Sequence, residues 1–254
     1  MKLPINLFKS GMCKDRAMIG SWIMTGSSNV AEAMASSNLD FIIVDMEHTD
    51  SSVSDVVGIL RAIEGTGTEA IVRPHSLDTV LIRRLLDCGA RTLMVPFVET
   101  AEQAEEIVSA TRYAPRGVRG FALMHRGSRY NHVSDYVAQA GDELCVIAQI
   151  ETQTGIDNTA AIAGVDGIDA LFYGPGDLSC VIGQVGQTSG KDVRALISNE
   201  VQRCRELGIA TGTLLPDEAG SAWAKEVGFD FVSVGNDFSM ITGGSKRILS
   251  ALGS

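Results

Sequence analysis

Polar side chains suited to carbonyl chemistry stand at the ends of short apolar runs. FIIVDMEH delivers Asp45, Glu47 and His48, and AIVRP delivers Arg73. CVIAQIE delivers Gln149 and Glu151, and ALFYGPGDLS delivers Asp177 behind a Gly-Pro-Gly turn. Glu151 and Asp177 are hard oxygen donors with no cysteine or paired histidine beside them. Two such ligands suit Mg²⁺ or Mn²⁺, with Co²⁺ a third candidate, and leave room for water and substrate. A 2-oxo acid could chelate that ion through its carboxylate and keto oxygens. Arg73 would then stabilise negative charge growing on the keto oxygen. His48 is the natural proton carrier near neutral pH, and Asp45 could orient it and raise its basicity. Together these parts form and protonate an enolate, which is divalent-metal aldol chemistry. Each residue alone has a plainer reading. Asp177 could cap a turn, Glu151 could cap a helix starting near Thr154, and Arg73 could be half of a structural ion pair. Their clustering at successive run ends carries the functional reading.

Eight apolar runs could position them: Met18–Met24, Phe41–Asp45, Ala70–Arg73, Thr92–Phe97, Leu144–Ile150, Ala170–Tyr173, Ala210–Leu214 and Phe231–Val234. They are nearly continuous rather than alternating, as expected of parallel strands covered by helices. The intervening segments are amphipathic. Val53, Val56, Val57, Leu60 and Ile63 recur at helical spacing behind Ser52, a candidate N-cap. Thr100 and Gln103 have capping-box spacing. Gly89, Gly208 and Gly228 read as helix ends. Eight βα repeats in 254 residues predict one (β/α)8 TIM barrel over residues 1–254, with a doubly wound sheet as the competitor. In a barrel the active site lies at the C-terminal ends of the strands, where these residues fall. Residues 114–140 break the rhythm with a long excursion holding Arg116, Arg119, His125, Arg126, Arg129 and His132.

Composition narrows the function. Lysine and arginine number 21 against 31 acidic residues, a net charge of −10, which argues against nucleic acid and anionic membrane surfaces. No run approaches the roughly 20 apolar residues of a membrane span. The N-terminus, with Pro4 and Asn6, does not read as a signal peptide. Cys13, Cys88, Cys145, Cys180 and Cys204 are scattered, forming no zinc or disulfide pattern, and read as small apolar filler in a cytoplasmic protein. A Schiff-base aldolase needs a lysine at a strand end, but Lys2, Lys9, Lys14, Lys191, Lys225 and Lys246 all fall elsewhere. Phosphate-loop, dinucleotide and nucleophile-elbow motifs are absent from the sequence.

The ordered pieces IGSWIM, NLDFIIVDMEHT, VRP, LLDCGARTLMVPFVETAEQAEEIVSATRYAPRGVRG, GSRYN, VIAQIET, FYGPGDLS and VGFDFVSVGND cover most of the chain. In them the sequence resembles the metal-dependent hydroxy-oxo-acid aldolases. The resemblance implies a barrel whose subunits exchange the last helix and assemble as trimers or hexamers. It makes His48 the acid/base, acting on or through a metal-bound water, Arg73 the enolate stabiliser, and Glu151 and Asp177 the metal ligands. Gln149, the backbone at Gly176, and Asp177 would touch the oxo acid. It also assigns Asp87 to raising the basicity of the histidine, although Asp87 ends a helix and so belongs at the opposite rim unless a neighbouring subunit brings it in. Glu47 matches a family glutamate and reads as a support for the site. Two departures concern specificity. The turn reads GPGD where relatives often have GPAD, and the excursion reads ALMHRGSRYN, whose His125 and Arg126 could favour a carboxylate-bearing acceptor. Trp22 and Leu215 are further candidates for the pocket.

The expected activity is reversible cleavage of a 4-hydroxy-2-oxo acid to pyruvate and an aldehyde. A second reading on the same fold is citrate-forming condensation of oxaloacetate with acetyl-CoA. A third, of another class, is a barrel that binds an oxo acid without turnover.

Overall fold

Parallel strands cover both faces only if helices return the chain between them, and the chain does this in order. The strands are β1 (Met18–Ile23), β2 (Phe41–Asp45), β3 (Glu69–Arg73), β4 (Thr92–Val95), β5 (Cys145–Ile150), β6 (Ala170–Tyr173), β7 (Ala210–Leu215) and β8 (Phe231–Asn236). Each pairs in parallel with the next, and β8 pairs with β1, closing the barrel. This computed structural model describes residues 1–12 and 16–253; Cys13 and Lys14 lie outside the described residues. The helices are α1 (Leu7–Gly11), α2 (Ser28–Ala35), α3 (Val53–Ala62), α4 (Thr79–Asp87), α5 (Ala101–Thr111), α6 (Tyr136–Gln139), α7 (Gln153–Asp157), α8 (Thr159–Ala163), α9 (Pro175–Val181), α10 (Lys191–Leu207), α11 (Ser221–Val227) and α12 (Asp237–Ala251).

The expected strands agree with these bounds to within two residues. The run expected to reach Phe97 stops at Val95, because Pro96 has no N–H for the ladder and Phe97 turns to φ +53°. Both expected caps form as reciprocal capping boxes, Ser52 with Asp55 and Thr100 with Gln103.

Side chains alternate across each strand, so one face of each fills the barrel. Phe41, Ile43, Ile71, Met94, Ile147, Phe172 and Phe231 form that interior. The opposite faces pack under the helices. α1 plugs the N-terminal end of the barrel. Its Phe8 is fully buried, with its ring 5.2 Å from Phe41 and 5.1 Å from Phe231, both edge-on. Closing one end with an aromatic plug leaves polar residues to open at the other.

The last helix departs from the barrel pattern. In α12 only Asp237 is buried, while Phe238, Ile241, Ile248 and Leu249 are exposed. A groove of about 600 Å³ runs beside β8 and β1, lined by Ile19, Leu215, Ala224, Val232 and Val234. Leu215 therefore belongs to the outer layer rather than to the strand-end pocket. No helix among the described residues is long and apolar enough to cross a membrane.

Candidate active site

Strand alternation carries apolar residues into the barrel and ends each stripe on a polar group. β2 places Asp45 after Phe41 and Ile43, and β3 places Arg73 after Ile71. Asp45 and Arg73 are partners in the β2–β3 register. Arg73 Nε donates to Asp45 Oδ1 at 2.9 Å, its Nη1 lies 2.9 Å from Glu47 Oε2, and the guanidinium stands 4.3 Å over the Trp22 ring. Trp22 Nε1 is in turn fixed by Ser233 Oγ at 2.9 Å. Trp22 thus reaches the site as the surface beneath Arg73.

This corrects the expected role of Asp45. Its carboxylate accepts from Arg73 and from the Glu47 N–H at 3.0 Å, not from His48. Asp45 is fully buried and its Oδ2 has no partner. His48 is exposed at the rim. Its place is set by backbone, because Thr49 Oγ1 donates to the Asp45 carbonyl at 2.6 Å.

β5 continues Cys145, Ile147 and Gln149 to Glu151, two residues apart on one face. Glu151 is buried, with Oε1 accepting from the Phe97 N–H at 2.9 Å and Oε2 from Gln149 Nε2 at 2.6 Å. Burial pushes its carboxyl up to about 8; Asp177 and Glu47 push the same way, while the Phe97 N–H and Arg73 oppose. Glu47 is also raised, first by burial, with Asp45 and Asp177 adding and Arg73 and His48 opposing. Glu47, Arg73 and Asp177 all act on the Glu151 carboxyl, and Arg73 is ion-paired with Glu47, so the four side chains share one strand-end region. Thr152, not Glu151, caps α7 by accepting from the Gly155 N–H. Asp177 lies in the first turn of α9 behind Pro175, half-buried.

The donor set fits a hard divalent cation. Glu151 is so buried, with the Asp177 charge adding, that its neutral form is favoured, a penalty that a cation beside it would relieve. Gln149 Oε1 is buried nearby without a partner. No group of three or more His, Cys, Asp or Glu suited to a metal occurs among the described residues, so an ion held by these two carboxylates would need water and substrate to complete its shell.

Two glycines differ sharply here. A Cβ on Gly174 would lie 2.8 Å from Glu151 Oε2 and 3.4 Å from Gln149 Nε2, whereas one on Gly176 meets nothing within 4 Å. Gly174→Ala should fold but displace the Glu151 carboxylate, weakening Mn²⁺ binding at least about tenfold. Gly176→Ala should bind Mn²⁺ as the parent does. Isothermal titration of both variants checks this, and equal affinities would show that the close approach at Gly174 is immaterial.

Other expected residues stand elsewhere. Asp87 ends α4 at the opposite rim, bonded to Arg119 Nη2 at 2.8 Å, with no hydrogen bond or ion pair to His48. A helix antiparallel to its strands must end at the N-terminal rim. The excursion packs there too. His125 is buried 3.8 Å from Asp87, and Arg126 bonds Glu64 at 2.9 Å and the Cys88 carbonyl at 3.3 Å. Within one chain neither faces the acceptor side of the site. Cys145 and Cys204 are buried filler as expected, but Cys88 is half-exposed and Cys180 exposed.

Two contributors escaped the sequence reading. The Phe97 N–H reaches Glu151 only because this non-glycine residue adopts left-handed backbone, which costs on the order of 1–3 kcal/mol. Nothing in the residue type signals that. Buried Asp237 accepts from the Met24 N–H, the Thr25 N–H and Thr25 Oγ1, tying the first loop to the last helix. A carboxylate just past the eighth run was its available signal.

The sequence model for HpcH/HpaI aldolase/citrate lyase matches residues 18–242. The chain belongs to the HpcH/HpaI family. Among its relatives is a 2-dehydro-3,6-dideoxy-6-sulfogluconate aldolase of Pseudomonas putida, 43% identical over 94% of each chain. A 2-keto-3-deoxy-L-rhamnonate aldolase of Klebsiella pneumoniae is 41% identical over 96% of this chain and 92% of that one. A solved HpcH/HpaI family structure from Burkholderia cenocepacia superposes with a TM-score of 0.94 at 33% identity, covering 98% of this chain and 100% of that one. A citrate synthase structure superposes at 0.85 with 26% identity over 96% of each.

Proposed function

We propose that this chain is a divalent-metal-dependent aldolase that reversibly cleaves a 4-hydroxy-2-oxo acid to pyruvate and an aldehyde. The observation that carries this is the buried Glu151 carboxyl, raised to about 8, sharing one strand-end site with Asp177 and the Arg73 guanidinium. Relatives named as aldolases at 41–43% identity support the carbon–carbon lyase assignment.

Glu151 and Asp177 would hold Mg²⁺ or Mn²⁺, which when bound polarises the keto group of the oxo acid. Arg73 presents Nη2, which makes no hydrogen bond among the described residues, to the keto oxygen. Asp45 and Glu47 hold the guanidinium in that orientation. Gln149 offers its free Oε1 and orients Glu151 through its amide N–H. In cleavage a proton leaves the C4 hydroxyl, the C3–C4 bond breaks, and its electron pair passes into the pyruvate enolate. C3 then takes a proton. His48, exposed where solvent meets the site, moves these protons.

The test is exchange of the pyruvate methyl protons in D₂O, followed by NMR, with Mn²⁺ or Mg²⁺ and with chelator. Metal-dependent exchange is expected, and no exchange with any divalent ion would overturn the reading. Citrate-forming condensation is the second reading, motivated by the citrate synthase likeness. Acetyl-CoA-dependent citrate formation without pyruvate exchange would select it.

The same reading includes a cytoplasmic homo-oligomer, trimeric or hexameric. The four cysteines among the described residues are free, in keeping with that compartment. α12 exposes apolar side chains and the groove beside β8 and β1 is lined by Ile19, Leu215, Ala224, Val232 and Val234, so one copy's helix is proposed to fill another's groove. Ile248→Asp with Leu249→Asp should lower the mass seen by sedimentation to that of one chain. An unchanged mass would rule out α12 as the joining element.

A further inference from the structure

The aldolase reading leaves the second product open, and the inference rests on that reading. We propose that the aldehyde this site takes is uncharged, because the mouth of the barrel is a ring of carboxylates without a cation to pair an anionic tail.

The mouth is formed by the loops joining each strand to the helix after it. Among the described residues these loops carry Glu47, Asp50, Asp78, Glu99, Asp217 and Glu218, and no lysine or arginine. Arg73 closes β3 at this rim, but Asp45 binds its Nε, Glu47 lies against its Nη1, and the oxo acid claims what remains. The imidazole of His75 is engaged with Ser76 Oγ at 2.8 Å. The pyruvate half brings its own carboxylate. A second anionic group at the aldehyde end would enter a negative field on a chain of net charge −10. It would also lose hydration without gaining a charged partner.

The excursion is the one segment rich in unassigned cations, and its arginines are largely spoken for. Arg119 is bonded to Asp87, and Arg126 and Arg129 are both paired with Glu64. Arg116 opens beside Glu105 and Asp166. A neighbouring copy that docked this segment over the mouth would deliver Arg119, Arg126 and Arg129 each already in an ion pair of its own chain. The carboxylate-bearing acceptor suggested by His125 and Arg126 in the sequence therefore loses its support.

The experiment compares kcat/KM for aldol addition of pyruvate to two matched pairs, with saturating Mn²⁺. The pairs are butanal with succinic semialdehyde, and glyceraldehyde with glyceraldehyde 3-phosphate. Within each pair the uncharged aldehyde should be favoured at least about tenfold at low ionic strength. The gap should narrow severalfold near 0.5 M salt, where the screening length falls to a few ångströms. Asp50 is exposed and makes no hydrogen bond, so Asp50→Lys should fold and narrow the gap for succinic semialdehyde. Equal or better turnover of the anionic member in both pairs would overturn the proposal. A gap indifferent to salt and to Asp50→Lys would also overturn it, because the discrimination would then be steric. No product from any of the four aldehydes would overturn the aldolase reading itself, and the proposal with it.

Discussion

Arg73→Ala should lower the rate of metal-dependent pyruvate methyl exchange by at least about 100-fold and destabilise the fold. The two effects have different causes and can be separated. The rate effect follows from losing a charged donor aimed at the developing oxyanion; removing one such donor typically costs a factor of about 10² to 10³. The stability effect follows from Asp45. This carboxylate is fully buried, and without the 2.9 Å bond from Arg73 Nε it keeps only the Glu47 N–H. Removing one partner of a buried pair typically costs about 3–5 kcal/mol. Trp22 also loses the cation stacked 4.3 Å over its ring. Adding Asp45→Asn to Arg73→Ala removes the stranded charge. The double variant should regain much of the urea midpoint while remaining as slow as the single one. Near-parental exchange in Arg73→Ala would refute the stabilising role; recovery of rate in the double variant would show that the single variant was merely misfolded.

Metal affinity should rise about tenfold per pH unit up to about pH 8 and level off above it. The cause is Glu151, whose carboxyl is raised from 4.5 to about 8 chiefly by burial. A ligand that must lose a proton before binding couples the cation to that proton. Near pH 7, titration in buffers of different ionisation enthalpy should therefore detect about one proton released per ion. The sign for stability runs the other way in the metal-free protein. A folded-state value above the unfolded one contributes stability that is present below about 4.5 and is lost as pH rises through about 8. The rise in melting temperature produced by Mn²⁺ should accordingly widen from about pH 6 to 9. Glu151→Gln should bind Mn²⁺ at least about 100-fold more weakly and lose this pH dependence. The fold should survive the change, since one amide oxygen still accepts from the Phe97 N–H. Affinity that is flat between about pH 6 and 8 in the parent would remove Glu151 from the ligand set.

The barrel was legible because its signals are local. Eight apolar runs, an N-cap at Ser52, a capping box at Thr100 and helix-ending glycines each depend on residues a few positions apart. The site was legible for the same reason wherever a functional residue ends a strand. Asp45, Arg73, Gln149 and Glu151 follow the period of two straight out of the core. Phe97 was not legible, because a phenylalanine turning into left-handed backbone has no sequence signature. Asp237 was overlooked because it acts across the closure of the barrel, on loop residues 212 and 213 positions earlier in the chain.

By itself, then, the sequence determined which residues point into the barrel and which of them come last. Only the tertiary structure decided their partners. Asp45 sits beside Arg73 because β2 and β3 align them in register, and this takes it from His48. Asp87 meets Arg119 at the far rim because α4 runs against its strands. Side-chain direction follows from the period of one segment, whereas neighbours follow from the register, direction and closure of several.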